Sequence, residues 1–241
     1  MRTSRKVAVI TGASWGIGAG LVAGYRRQDW AVVASAPAIK PSQDPDLRTV
    51  AADITGPATA GQIVDAALEC FGRIDTLVTN TGTSIALPFT DYTAADYAAV
   101  VGAGLAGFFW LTQRVIGEMA VRYGGHVVTI STDPAGPADP GATGVLAGLV
   151  TGGLAAATRS LAIEYASYGI RVTAITAGAI QTFPRRQAGD HHPGRWFPPL
   201  GHAGQVSDIV DGVMFLESAP HITGEILHID GGRQPGDPWL G

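Results

Sequence analysis

"KVAVITGASWGIG", Lys6 to Gly18, is the stretch whose reading decides the fold. It runs from a short apolar strand pattern, "KVAVI" at 6 to 10, straight into Thr11, Gly12, Gly16 and Gly18, and from there into a helical pattern over 16 to 28. A strand, a glycine turn and a helix start in direct succession form a cradle for the phosphates of a dinucleotide. Glycines let the backbone approach a pyrophosphate, and the free amides and dipole at a helix start favour its negative charge. A merely tight turn is the bland alternative, and the pattern that follows along the chain disfavours it.

Six further strand patterns lie outward from this stretch: "AVVAS" (31 to 35), "RTVAADI" (48 to 54), "IDTLVTN" (74 to 80), "GHVVTIS" (125 to 131), "IRVTAIT" (170 to 176) and "EILHID" (225 to 230). Most are nearly continuous apolar runs, as parallel strands covered on both faces are. Helical patterns alternate with them near 16 to 28, 57 to 71, 92 to 121, 142 to 167 and 205 to 217. The expected architecture is α/β: a Rossmann-like, doubly wound, parallel seven-stranded sheet in one domain over 1 to 241. The long irregular stretch is "QTFPRRQAGDHHPGRWFPPLGHAG", 181 to 204, and a loop of that length inside a compact domain is usually functional.

Composition narrows the function classes. The 241 residues are 46% apolar and 15% charged with net charge −4, and no basic run exceeds a pair, so nucleic acid is a poor partner. A single cysteine, Cys70, excludes an internal disulfide and paired-thiolate metal sites; it reads as a small hydrophobe, and no metal is expected. The apolar run near the N-terminus is too short for a signal-peptide core, and Tyr97 to Thr112 falls short of the roughly 20 residues a bilayer crossing needs. The expectation is a soluble, cytoplasmic protein that meets neither nucleic acid nor membrane. The helices at 92 to 121 and 142 to 167 are apolar nearly all round, so they are covered either within the monomer or in a homodimer or homotetramer.

From end to end the chain resembles the short-chain dehydrogenase/reductase family. The resemblance rests on Thr11-Gly-x-x-x-Gly16-Ile17-Gly18, on Asp53 after the third strand, and on "TNTG" (79 to 82), which is similar to the family's Asn-Asn-Ala-Gly. It extends through "TRSLAIEYASYGIRVTAITAGAIQT" (158 to 182), where Ala177 replaces the family Pro and Gly178 and Thr182 are kept, to "ITGEILHIDGG" (222 to 232). It implies an NAD(P) ligand held by Gly12, Ser14, Trp15, Gly16, Ile17, Gly18, Ser35, Asp53, Ile54, Asn80, Gly82, Gly178 and Thr182, with Asp53 as the adenine contact. The second strand ends "VASAPAIK", with neither an acidic residue for the ribose of NAD nor an Arg for the phosphate of NADP; Ser35 and Lys40 remain as weak phosphate partners. Trp15 takes a position where phosphate-preferring members often carry a basic residue, and it either stacks on adenine or partly blocks the site.

The family's hydride chemistry uses a Tyr as proton donor and a Lys one helical turn later, both on one helix face. Counting back from "TRSLA", these positions fall on Ala147 and Thr151. No other register restores the pair, because the two lysines are Lys6 and Lys40 and neither they nor any Arg follows a tyrosine by four. The same counting puts Gly104 at the family's Asn and Thr132, beside Ser131, at its Ser.

Substitute groups are sought in Asp133, whose bland reading is a turn residue ahead of Pro134, and in His191 and His192 within the 181 to 204 loop, with Asp190, Arg185, Arg186, Arg195 and Trp196 nearby. His126 and His228 read as core or strand-end residues. Small side chains at 147 and 151 open room for a bulky, polycyclic or polyketide-like ligand. The first expectation is therefore an enzyme with an altered active site that acts on a carbonyl compound by cyclisation, dehydration or isomerisation. The alternatives are an NAD(P)H-dependent ketoreductase with a surrogate proton donor, and a catalytically silent subunit or ligand-binding protein.

Overall fold

The computed structural model describes residues 4–80, 85, 87–132, 144–182 and 198–233. Seven strands form one sheet: β1 (Val7–Thr11), β2 (Ala31–Ala36), β3 (Leu47–Ala51), β4 (Thr76–Asn80), β5 (Gly125–Thr132), β6 (Ile170–Ala177) and β9 (Ile226–Ile229). Their spatial order is β3-β2-β1-β4-β5-β6-β9, and every neighbouring pair is parallel. This is the expected doubly wound sheet, with the order reversing between β1 and β4. Two very short strands, β7 (Ile180–Gln181) and β8 (Gly204–Gln205), pair beside it.

The strand pleat sorts the core into two faces. Along β1, Val7 and Val9 join one apolar cluster and Ala8 and Ile10 the other, all fully buried. The first cluster is covered by α2 (Pro57–Phe71), α4 (Gly107–Arg122) and the end of α5 (Val145–Glu164), through Ile63, Val64, Leu111, Val115 and Ala162. The second is covered by α1 (Gly16–Arg27) and α6 (Val206–Ser218), through Leu21, Tyr25, Ile209 and Val213. A smaller cluster of Val100, Phe108, Leu146, Val150 and Leu154 joins α5 to α3 (Ala94–Val101) and α4.

Helix ends follow local chemistry. Pro57 opens α2 and Gly72, left-handed at φ 77°, closes it. Thr93 and Asp96 form a reciprocal capping box on α3. The expected helix over 92 to 121 is interrupted by a π turn at Gly102–Ala106, "GAGLA", whose two glycines and small side chains tolerate the wider turn. The third strand ends at Ala51, earlier than 54, and α5 starts at Val145 after left-handed Gly144. Two continuous helical stretches, Ala94–Arg122 and Val145–Glu164, are long and apolar enough to cross a bilayer by length and composition alone; here both pack on the sheet.

The N-terminal ends of β4, β5 and β6 carry a buried polar network. The Glu217 carboxylate accepts hydrogen bonds from the Tyr25 hydroxyl (2.8 Å) and from Thr76 Oγ1 (3.0 Å) and lies 3.3 Å from His126 Nδ1. Arg171 donates to the carbonyls of Leu216 and Ile222 at 2.8 and 3.1 Å, and His126 Nε2 faces Thr173 Oγ1 at 2.9 Å. His126 is thus a strand-end core residue, as expected, whereas His228 is exposed in β9. Burial pushes the His126 imidazole below its ordinary value, against the pull of Glu217. Burial alone would raise the Glu217 carboxyl, but hydrogen bonds from His126, Tyr25 and Thr76 outweigh it and hold the group low.

Both folded values lie below the unfolded ones, so both groups contribute stability that is lost as pH falls, beginning below about 6.5 for His126. Thermal melts from pH 7 to 5 should show a falling midpoint, and His126→Gln should flatten that fall. Glu217→Ala, which strands buried donors, should cost roughly 3 kcal/mol at pH 7, or about 6–12 °C in midpoint for a chain of this size.

Candidate functional site

The C-terminal ends of β1 and β4, where the strand order reverses, are the place at which doubly wound sheets bind ligands. Here the glycine turn is held against β4. Gly12 has φ 61°, and a Cβ on it would sit 1.9 Å from the carbonyl oxygen of Asn80. A Cβ on Gly18 would lie 2.1 Å from the Gly12 oxygen, so α1 starts as close to the turn as the backbone permits. Asn80 fastens the arrangement from the other side: its amide N–H donates to Thr11 Oγ1 (3.0 Å) and its Nδ2 to the Gly12 carbonyl (3.4 Å). The N-terminus of α1 has no side-chain cap and no acidic residue in its first turn. Its dipole and first amides are therefore available to an anion.

A cavity of about 480 Å³ opens from this turn toward α5. Gly12, Trp15, Ile17, Asn80 and Thr182 line it on the cradle side, and Gly104, Ser131, Thr132, Ala147 and Thr151 on the other. Five of the twelve described cofactor-binding positions and all five described positions of the other group thus meet in one cleft. Thr132 ends β5, and its carbonyl accepts a hydrogen bond from Thr151 Oγ1 at 3.0 Å, which ties α5 to the strand. Thr182 packs against Gly16, placing its Cβ 3.3 Å from where a Gly16 Cβ would be. Among the described lining residues none titrates near neutrality; the polar side-chain groups are hydroxyls, the Asn80 amide and the Trp15 indole N–H.

Several expected residues stand apart from the cavity lining. Ser14 is exposed on the turn, and Asp53 is exposed in the segment after β3. Ile54 is buried, with its carbonyl oxygen packed so close to Gly107 that a Cβ there would lie 2.6 Å away. Ser35 is fully buried at the end of β2, and its hydroxyl has no hydrogen-bond partner among the described residues. Gly178 holds the end of β6 to β9, donating its N–H to the Ile229 carbonyl at 2.9 Å. Gly82, Asp133, His191 and His192 lie outside the described residues.

The sequence reading missed Pro37, Val100, Ala103, Ile130, Val150, Leu154 and Ala177, which also line the cavity. A signal for two of them was present: Ala147, Val150, Thr151 and Leu154 follow a spacing of three, one and three, which lays them along one helix face. The others depend on how distant elements meet.

The sheet order, the glycine turn at its switch point and the adjoining cavity define a dinucleotide-binding α/β class of protein. The sequence model of a family described as enoyl-(acyl carrier protein) reductase matches residues 12–234. A protein of Streptomyces violaceoruber assigned as ketoacyl reductase 2 of the granaticin polyketide synthase is 32% identical over 244 residues, covering 94% of this chain and 95% of that one. Two solved structures align along nearly the whole chain. One is 3-ketoacyl-(acyl-carrier-protein) reductase from Brucella melitensis complexed with NADH, 26% identical with TM-score 0.79, covering 95% of this chain and 98% of that one. The other is a short chain dehydrogenase from Leptospira borgpetersenii with bound NAD+, 28% identical with TM-score 0.82, covering 96% and 93%. The chain belongs to the short-chain dehydrogenase/reductase family.

Gly12→Ala must move either the turn or Asn80, because the added methyl group and the Asn80 carbonyl cannot share their present positions. The positive φ adds roughly 1–2 kcal/mol of backbone strain. A thermal midpoint lowered by several degrees or more, in melts compared with Gly61→Ala, whose Cβ meets nothing within 4 Å, is the expected result.

Proposed function

We propose that this chain binds a nicotinamide dinucleotide on its glycine turn and reduces the ketone of a carbonyl substrate held in the adjoining cavity. The observation that carries the reading is the meeting, in one cleft, of an uncapped helix start with a hydroxyl-lined hollow. The residues suit such a ligand at its phosphate end: Gly12 and Gly18 leave the backbone bare, and a side chain at either would collide with main chain. Backbone amides at the start of α1, from Gly16 to Gly18, would hold the pyrophosphate, with Trp15, Ile17, Asn80 and Thr182 along the rest of the ligand.

When bound in reduced form, the dinucleotide supplies a hydride. Ser131 and Thr132 border the cavity at the end of β5, and the Thr132 hydroxyl would orient the carbonyl oxygen by hydrogen bonding. The proton then comes from water entering the open side of the cleft, from the substrate itself, or from Asp133, His191 or His192. Reduction is favoured over the cyclisation, dehydration or isomerisation expected first because relatives over the full length bear ketoacyl reductase names.

Without a phenol and an ammonium at 147 and 151, turnover should be slow. A general acid alone contributes roughly 10² to 10⁴ in rate. Following absorbance of the reduced nicotinamide with β-ketoacyl thioesters and aryl ketones should show slow, protein-dependent loss. The double substitution Ala147→Tyr and Thr151→Lys should raise that rate by about 10²-fold or more. A bound dinucleotide that no carbonyl compound consumes would shift the reading to a non-redox step.

The same reading includes a homodimer or homotetramer. Phe109 on α4 and Leu149 on α5 are 52% and 58% exposed, and a second copy would cover them. Light scattering coupled to size exclusion should give a multiple of 24.8 kDa, and Phe109→Glu should move it toward the monomer.

A further inference from the structure

We infer that the open edge of β3, together with the face of α2 that overhangs it, is a docking groove for an extended, Lys- or Arg-bearing segment of another polypeptide, which joins the sheet as a further strand.

β3 ends the strand order, and among the described residues no strand pairs with its outer side. Its register with β2 fixes which backbone groups are left over. The Asp46 carbonyl accepts a hydrogen bond from the Val32 N–H at 2.8 Å, and the Ala52 N–H donates to the Ala36 carbonyl at 3.3 Å, so the even-numbered positions turn toward β2. Backbone groups alternate in direction along a strand, so Leu47, Thr49 and Ala51 turn outward. The Leu47 N–H is taken by the Asp44 carbonyl at 3.1 Å. Thr49 and Ala51 are left to present N–H and C=O groups to whatever lies beside the sheet. The usual devices that blunt such an edge are few here. Leu47–Ala51 holds unbroken register with β2, without a proline or a bulge, and Arg48 is its one charged residue.

There is room beside this edge. A hollow of about 440 Å³, separate from the cleft, is bounded by β3 from Arg48 to Ala51 and by Gln62, Asp65, Ala66 and Glu69 of α2. The four helix residues follow a spacing of three, one and three, which puts them on one face, and Gln62, Asp65 and Glu69 are exposed. Val50 packs on the apolar cluster that α2 covers, so one face of β3 looks toward the helix. Alternate side chains of an added strand would project to that same side, into the hollow. Main-chain bonding to the edge then gives affinity, and the hollow gives specificity.

Charge selects the occupant. From Leu47 to Phe71 the chain carries Asp53, Asp65 and Glu69 against Arg48 alone. Asp65 lies 3.5 Å from Arg114 in an exposed pair of the kind that contributes little, and Glu69 makes no ion pair among the described residues. A Lys or Arg on the incoming strand would meet both carboxylates. A second copy of this chain fits less well, because pairing β3 with β3 would bring two acidic α2 faces together.

The test is fluorescence anisotropy of the full chain with a short labelled peptide of alternating Lys and Val. Two peptides of the same length serve as comparisons: one with Glu in place of Lys, and one whose backbone nitrogens are all methylated, which keeps the charge and removes the N–H donors. The Lys peptide should bind at least tenfold more tightly than either. The double substitution Asp65→Lys and Glu69→Lys, and separately Thr49→Pro, which removes an outward N–H, should each weaken it at least tenfold. Ile163→Gln, 81% exposed on α5, should leave it unchanged. Equal binding of the methylated peptide would reduce the contact to surface charge and overturn the groove, as would undiminished binding by the charge variant or no binding at millimolar peptide. Should Thr49→Pro fail to fold, the charge variant and the methylated peptide decide. Self-association lost on Thr49→Pro, measured by light scattering, would assign the edge to a second copy and overturn the proposal.

Discussion

The approach of the Gly12 turn to the end of β4 is the constraint on which the rest of the structure depends. Parallel β1 and β4 are neighbours, yet the chain leaves them toward opposite faces of the sheet, so a crevice opens between their C-terminal ends. The Asn80 carbonyl occupies the volume that any side chain at position 12 would need. Because the turn is bare, α1 can begin immediately above the crevice and direct its first amides toward it. Every other feature of the cleft, from the hydroxyls ending β5 to the small-residue face of α5, is arranged around that opening.

Among the described residues, charge is distributed unevenly between the two ends of the sheet. At the C-terminal end, the described residues around the cavity offer hydroxyls, an amide, an indole and hydrocarbon. At the N-terminal end, Glu217, His126, Arg171 and Tyr25 are knotted together under β4, β5 and β6. The ionisable network therefore joins α1 and α6 to the sheet far from the cleft, where its titration bears on stability. The described residues that line the cleft are groups whose state does not change near neutral pH.

Much of the architecture was legible because parallel strands write themselves as short β-branched runs. "KVAVI", "AVVAS" and "IDTLVTN" each contain an observed strand to within two residues at either end. The break in the helix at Gly102–Ala106 was not, since a π turn changes the hydrogen-bond ladder without altering the apolar composition that marks a helix. The cradle residues were readable from glycine chemistry alone, and Ala147 and Thr151 from their distance to "TRSLA". Val100, Ala103, Ile130 and Pro37 were out of reach, because each becomes part of the cavity only when separate elements pack. Ser35 shows the converse: a polar residue at the expected strand end whose side chain turns out to be wholly enclosed.

The small ladder between β7 and β8 has a consequence for how this scaffold tolerates a change in length. Ile180 pairs with Gly204 and Gln181 with Gln205, and the Gly204 N–H donates to the Ala179 carbonyl at 2.9 Å, so the chain departs and returns at one spot beside the cleft. With both ends clamped together, a change in the number of residues between them leaves the position of the two ends as it is. Doubling that number costs only about 0.6 kcal/mol of closure entropy. Insertion or deletion between the two strands would leave the sheet and its glycine turn as they are, with Thr182 still packed beside Gly16.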